Sequence, residues 1–156
     1  ALCCGGSISR QCRSPEGPPP CVYRAEAAAL EAEVLAGVRA AAPGAECPVG
    51  SSLAQARGFV LCARDAFGLI DERVRQTGRW EDCDLLLDLA RAIGGRLRVL
   101  DAGAHIGACA LALAAEGHTV AAFEPHPGSF AQLNASVHFN GFSGPSCFSG
   151  TSGGSG

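Results

Sequence analysis

Two stretches of the sequence carry residues that could hold a small ligand. The first is the segment 101–107, which reads DAGAHIG, and the second is Glu124, which ends a separate apolar run. Gly103 lets the backbone turn tightly and lets a ligand approach without a Cβ in the way, and we expect Gly107 to allow a helix to pack closely on a strand. A carboxylate at position 124 can accept charge-assisted hydrogen bonds from both hydroxyls of a ribose.

The same residues discriminate between two classes of ligand. The dinucleotide fingerprint Gly-x-Gly-x-x-Gly needs its middle glycine because the pyrophosphate sits against the helix N-terminus. His105 occupies that position here, and its side chain would obstruct a diphosphate. Asp101 suits a cationic ammonium group better than a phosphate. The residues therefore favour S-adenosylmethionine, an adenosine that carries a sulfonium and an amino acid, over a dinucleotide.

Both motifs follow predicted buried strands. Apolar runs predict strands over 96–101 and 119–123, and helices over about 106–115 and 128–139. Strands without alternating polarity are typical of parallel sheets covered on both faces. We therefore expect an α/β, Rossmann-like fold with helices on both faces of a parallel sheet, and a ligand beyond the carboxyl ends of the strands. We also expect the fold to be truncated after the second βα unit.

The chain divides into four regions by composition. Residues 1–22 are rich in Gly, Ser, Pro and Cys and predict a flexible leader. Residues 23–95 predict a helical region that leads into the domain, and residues 96–142 predict the first half of the cofactor-binding core. Residues 143–156 are rich in Ser and Gly and predict a disordered tail.

Within the helical region, the predicted helices lie over 25–42, 69–76 and 80–93, and the last ends at two glycines. Its apolar face is formed by Leu86, Leu89, Ala90 and Ile93. The short apolar run 59–62 fits a strand or a packed turn.

The overall composition excludes several functions. The net charge is −3, and acidic and basic residues are scattered along the sequence. This charge pattern does not favour binding to nucleic acid or to an anionic membrane. No apolar run approaches the ~20 residues of a membrane span. All twelve basic residues are arginine, which excludes P-loop and Schiff-base lysine chemistry. The sequence starts at Ala1 and has no methionine, so we expect a processed form or a fragment.

The cysteines indicate no metal site. There are nine, with no Cys-x-x-Cys pair and no zinc-finger spacing. Cys62, Cys83 and Cys109 stand in apolar or helical surroundings, which predicts free thiols in a reducing, cytoplasmic or organellar compartment. The sequence is also compatible with a disulfide between Cys12 and Cys21.

Three segments together resemble the FkbM-type family of class I methyltransferases. They are 77–81 (TGRWE), 99–107 (VLDAGAHIG) and 122–127 (AFEPHP), within a match over roughly residues 65–142. The family pattern is Gly-x-Trp-Glu, then Asp-x-Gly-Ala-Asn-x-Gly, then Phe-Glu-Pro-x-Pro. The resemblance implies the N-terminal part of an S-adenosylmethionine-dependent methyltransferase domain. It also implies O-methyl transfer to a hydroxyl of a small molecule or glycan acceptor.

The resemblance also implies a set of cofactor contacts. The residues concerned are Asp101, Gly103, Ala104, His105, Gly107, Glu124, Pro125 and Glu81. Asp101 and the two glycines would line the methionine side, Glu124 would hold the ribose, and Glu81 with Trp80 would cover the cofactor. Trp80 fits a packing role better than a covering role. His105 replaces the family's asparagine, and no catalytic base is assigned.

Two other functions compete with this interpretation. One is a catalytically silent fragment that acts only through association at an exposed sheet edge. The other is a NAD-dependent oxidoreductase, which His105 disfavours. In a purely structural interpretation, Asp101 only ends a strand and Glu124 only caps a helix.

Overall fold

The computed structural model of the chain describes residues 22–65, 68–142 and 148–150. In chain order the elements are α1 Val22–Ala41, β1 Ser51–Ala56, β2 Phe59–Arg64, α2 Leu69–Thr77, α3 Glu81–Ile93, β3 Arg98–Ala102, α4 Ala108–Ala115, β4 Thr119–Glu124, α5 Pro127–Phe139 and β5 Phe148–Gly150. The described residues up to 37 and those from 38 onward belong to two separate units, and the second contains every element from β1 to β5. The predicted leader lies outside the described residues except for its last position. No helix within the described ranges is both long and apolar enough to cross a bilayer.

The central sheet is parallel, in the order β3-β4-β5. Sequential strand order with right-handed crossovers puts α4 and α5 on the same face. Val120 and Ala122 on β4 are buried, whereas Leu100 is 68% and Phe123 44% exposed. The side chains of Leu100 and Phe123 are therefore not covered by α4 or α5, and helices on both faces of the sheet stay a prediction. The exposed positions of these strands are also apolar. The sequence therefore lacks the alternation of polar and apolar residues that is typical of a sheet covered on one face.

The third strand was not predicted from the sequence. Phe148–Gly150 pairs with the end of β4, with Ala122 opposite Phe148 and Glu124 opposite Gly150. Three residues that include Ser and Gly give no strand signal of their own. The rest of the predicted tail lies outside the described residues.

A β-hairpin interrupts the region predicted as helical. β1 and β2 pair antiparallel around a two-residue turn, and only the run 59–62 had indicated a strand there. The outer edge of β2 is covered by side chains from the end of α5. Asn140 accepts from the Val60 N–H at 2.9 Å and donates to the Val60 carbonyl at 2.6 Å, and Ser136 accepts from the Cys62 N–H at 2.8 Å. These bonds satisfy an edge that would otherwise be open to pairing.

The predicted helix over 80–93 is confirmed as α3, but most of its apolar face is not buried. Ala90 is buried, whereas Leu86 is 45%, Leu89 57% and Ile93 62% exposed. These three side chains border a cavity of about 240 Å³ that Leu100 of β3 also lines. We call this surface the apolar patch.

Two disulfides replace the free thiols predicted from the sequence. Cys47 is bonded to Cys62, and Cys83 to Cys109. The first links the loop before β1 to β2, and the second links α3 to the first turn of α4. The partners are far apart in the sequence, and spacing alone does not encode such pairing. Disulfides persist in oxidising compartments, so the prediction of a reducing environment loses its support.

Reducing these disulfides is expected to lower the melting temperature. A disulfide that closes a 15-residue loop contributes about 3 kcal/mol, and the 26-residue loop slightly more, chiefly by restricting the unfolded chain. Thermal unfolding with and without a phosphine reductant measures the effect. Cys47→Ser and Cys83→Ser, compared separately, assign it to each bond. An unchanged melting temperature in reductant would contradict the assigned pairs.

Candidate functional site

Two carboxylates stand at the carboxyl ends of adjacent parallel strands. Asp101 lies on β3 opposite Ala122, and Glu124 is the last residue of β4. Burial, and after it the negative charge of Glu124, raises the pKa of the Asp101 carboxyl above its ordinary value. The two acids therefore act on each other across the same strand ends.

Glu124 joins the two loops that follow these strands. Its Oε2 accepts from the His105 N–H and its Oε1 from the His126 N–H, both at 2.7 Å. The side chain is buried, with 7% exposure. It does not cap α5, because His126 does so through Nδ1, which accepts from the Ser129 N–H. Each carboxylate oxygen keeps a further lone pair for another donor.

The turn after β3 presents open backbone at Gly103. Its φ of +92° lies in the left-handed region, and a Cβ built there would meet no atom within 4 Å. The N–H groups of Gly103 and Ala104 both donate to the Phe123 carbonyl, at 2.8 and 3.0 Å. The turn is thus fixed to β4, while the space over Gly103 remains free of protein atoms.

Gly107 has a different role from the one the sequence indicated. Its φ is +90°, and a Cβ there would lie 2.3 Å from Leu133 Cδ1 and 3.3 Å from Leu111 Cδ1. Leu133 belongs to α5, so the close approach is between the start of α4 and α5 rather than between a helix and a strand. Gly107 is buried and serves packing.

His105 is held by two residues that are not among the predicted site residues. Its backbone is left-handed, with φ +54°, and its Nε2 lies 2.8 Å from Nη2 of Arg64 at the end of β2. The Arg64 N–H donates to Oδ1 of Asp71 at 2.6 Å, and Asp71 is 1% exposed. Neither residue belongs to a recognisable motif, and only the packing of the hairpin brings Arg64 to the turn.

The remaining predicted site residues lie elsewhere or at the margin. Glu81 is exposed and accepts from Nε of Arg73 at 2.8 Å, a hydrogen bond that lowers the pKa of Glu81. Trp80 packs against the core and lines a cavity of about 270 Å³ with Arg57. Pro125 is exposed directly after β4. Among the described residues, no contact links Glu81 to Asp101 or Glu124.

Among the described residues, no group of three or more His, Cys, Asp and Glu side chains could hold a metal ion. No family model matches the sequence, and no curated protein matches it. One similar solved structure is a SAM-dependent methyltransferase from Agrobacterium tumefaciens, with a TM-score of 0.47 and 18% identity. The match covers 66% of this chain and 33% of that one, so this chain spans about a third of its length. Likeness of this extent does not establish a function for this chain.

Proposed function

We propose that the turn after β3 and the acids at the ends of β3 and β4 bind S-adenosylmethionine, and that the chain supplies this site to a methyltransferase. The observation that carries the proposal is the open backbone at Gly103 beside two interacting carboxylates, Asp101 and Glu124. In this arrangement Asp101 holds the ammonium group of the cofactor. Glu124 accepts from the ribose hydroxyls with its remaining lone pairs.

The charge of the site favours this cofactor over a dinucleotide. The raised pKa of Asp101 means that ionising this carboxyl costs more in the free folded protein than in water, and a bound cation relieves that cost. A pyrophosphate would instead meet two carboxylates. It would also meet a side chain at position 105, where dinucleotide sites need glycine.

The bound cofactor supplies an activated methyl group on its sulfonium, and the chain's own residues hold and orient it. Asp101 holds the amino-acid end of the cofactor and Glu124 holds its ribose, which supplies the alignment that an in-line displacement requires. Following the FkbM-type resemblance, the acceptor is a hydroxyl of a sugar or small metabolite. Calorimetric titration tests the proposal: S-adenosylmethionine should bind, whereas NADH should not. Binding of NADH alone would favour the oxidoreductase.

Replacing Asp101 with asparagine is expected to weaken cofactor binding and to stabilise the free fold. Loss of a hydrogen bond to a charged group corresponds to about 10- to 100-fold in affinity. Because the folded-state pKa is raised, ionised Asp101 disfavours folding at pH values above that pKa, and the cost disappears below the unfolded value. Urea unfolding should therefore show an advantage for Asp101→Asn that grows from acidic to neutral pH. A variant less stable than the wild type at neutral pH would contradict this account.

A second candidate function rests on the apolar patch. Leu86, Leu89, Ile93 and Leu100 are exposed beside the edge of β3 that no other described strand pairs. Contiguous exposed apolar surface is typical of association sites. A catalytically silent chain would self-associate in sedimentation velocity experiments and show no cofactor binding in the titration above. Leu89→Arg should then reduce the association.

A further inference from the structure

The contact between Arg64 and His105 defines the protonation of the imidazole. A guanidinium carries only donors and is always charged, so the His105 Nε2 that lies 2.8 Å from Nη2 of Arg64 must be the acceptor. The single proton of the neutral ring is then on Nδ1. An imidazolium would point an N–H at the guanidinium and lose this bond.

This geometry is anchored on both sides. Arg64 is fixed by Asp71, whose Oδ1 accepts from the Arg64 N–H and lies 3.6 Å from its Nε. Arg64 also follows Cys62, which the disulfide to Cys47 ties down. On the other side, the His105 N–H is bonded to Glu124, which holds the backbone of the turn that carries the ring.

The remaining ring donor has no use within the protein. His105 Nδ1 is buried and has no hydrogen-bond partner among the described residues. A buried donor without an acceptor is destabilising, so such groups usually meet a partner. The N–H groups of Gly103, Ala104 and His105 are already bonded to β4 and are not free for a ligand. The side-chain N–H is thus an unused donor at the turn.

We infer that Arg64 holds His105 as the Nδ1–H tautomer, and that this N–H donates to the carboxylate of the cofactor's amino-acid group. The inference rests on the proposed function. The cofactor carboxylate is attached to the same carbon as the ammonium group assigned to Asp101, which brings it to the turn that carries His105. The β1–β2 hairpin thereby becomes part of the cofactor site, with Arg64 as a positioning residue.

The same arrangement excludes a second role for the histidine. With Nε2 occupied by Arg64 and Nδ1 protonated, the ring has no free lone pair. His105 therefore binds the cofactor and does not take the proton from the acceptor hydroxyl.

Nitrogen-15 NMR of the histidine-labelled full chain tests the tautomer. The wild type should show His105 with a protonated Nδ1 and an unprotonated Nε2, assigned by loss of the signals in His105→Asn. Arg64→Leu should release the ring to the Nε2–H form or to a mixture. Arg64→Lys, which keeps a donor, should retain the wild-type tautomer. An unchanged spectrum in Arg64→Leu would overturn the positioning role.

Calorimetric titration with S-adenosylhomocysteine tests the ligand contact. His105→Gly removes the donor without straining a left-handed backbone and should weaken binding about 10-fold. His105→Asn keeps an N–H donor, tolerates this backbone conformation and should bind within about threefold of the wild type. Wild-type affinity in His105→Gly would overturn the contact.

The two hypotheses fail in different ways. If the wild type does not bind S-adenosylhomocysteine, both the proposed function and the ligand contact are wrong, while the NMR result still decides the role of Arg64. If the wild type binds and His105→Gly binds equally well, only the further inference fails. Urea unfolding of each variant verifies that affinities are compared between folded proteins.

Discussion

Replacing Gly107 with alanine is expected to lower the free energy of unfolding by about 2–5 kcal/mol. The left-handed backbone, with φ +90°, costs an L-residue about 1–2 kcal/mol. The new Cβ would lie 2.3 Å from Leu133 Cδ1, and overpacking of this kind costs about 1–3 kcal/mol more. Urea unfolding monitored by circular dichroism measures the sum.

Gly103→Ala is the matched control for this prediction. Its φ of +92° is nearly the same, but no atom lies within 4 Å of the built Cβ. Only the backbone cost of about 1–2 kcal/mol is expected. Equal losses in the two variants would mean that the contact between Gly107 and Leu133 does not hold α4 against α5.

Replacing Glu124 with glutamine is expected to impair both stability and cofactor binding. The amide has one acceptor oxygen, so its NH₂ group would face the N–H of either His105 or His126. A buried donor left unsatisfied costs about 1–3 kcal/mol. Urea unfolding should show this loss, and titration with S-adenosylmethionine should show weaker binding because the ribose contact and the turn are both disturbed.

Glu116→Gln provides the control for this substitution, because Glu116 is exposed at the end of α4 and pairs with Arg91. It should leave affinity unchanged. A Glu124→Gln protein as stable as the wild type would mean that the Glu124 carboxylate does not hold the two loops together. Since Glu124 has this structural role, Asp101 is the better position for testing cofactor binding alone.

Local patterns in the sequence were sufficient to predict most elements around the site. Strand β4 was predicted over 119–123 and is Thr119–Glu124, and α3 was predicted over 80–93 and is Glu81–Ile93. These segments are defined by nearby apolar residues and by glycines that end them, so no tertiary information was needed. The order of strand, glycine turn and helix also placed Asp101 and Glu124 at neighbouring strand ends.

What the sequence could not predict depends on contacts between distant segments. Leu100 and Phe123 are apolar but exposed, so composition alone suggested a sheet covered on both faces. The hairpin places Arg64 against His105, which is distant in the sequence, and nothing in either motif indicates that contact. The Cys83–Cys109 disulfide likewise follows from the packing of α3 on α4.

A titration of the nitrogen-15-labelled chain with S-adenosylmethionine, followed by amide chemical shifts, tests the central claim most directly. We predict saturable shifts centred on Gly103, His105 and the residues after Glu124, and in Asp101→Asn the same shifts should require about 10- to 100-fold more cofactor. An absence of shifts, or shifts confined to the separate cavity lined by Trp80 and Arg57, would contradict the assignment of the cofactor site.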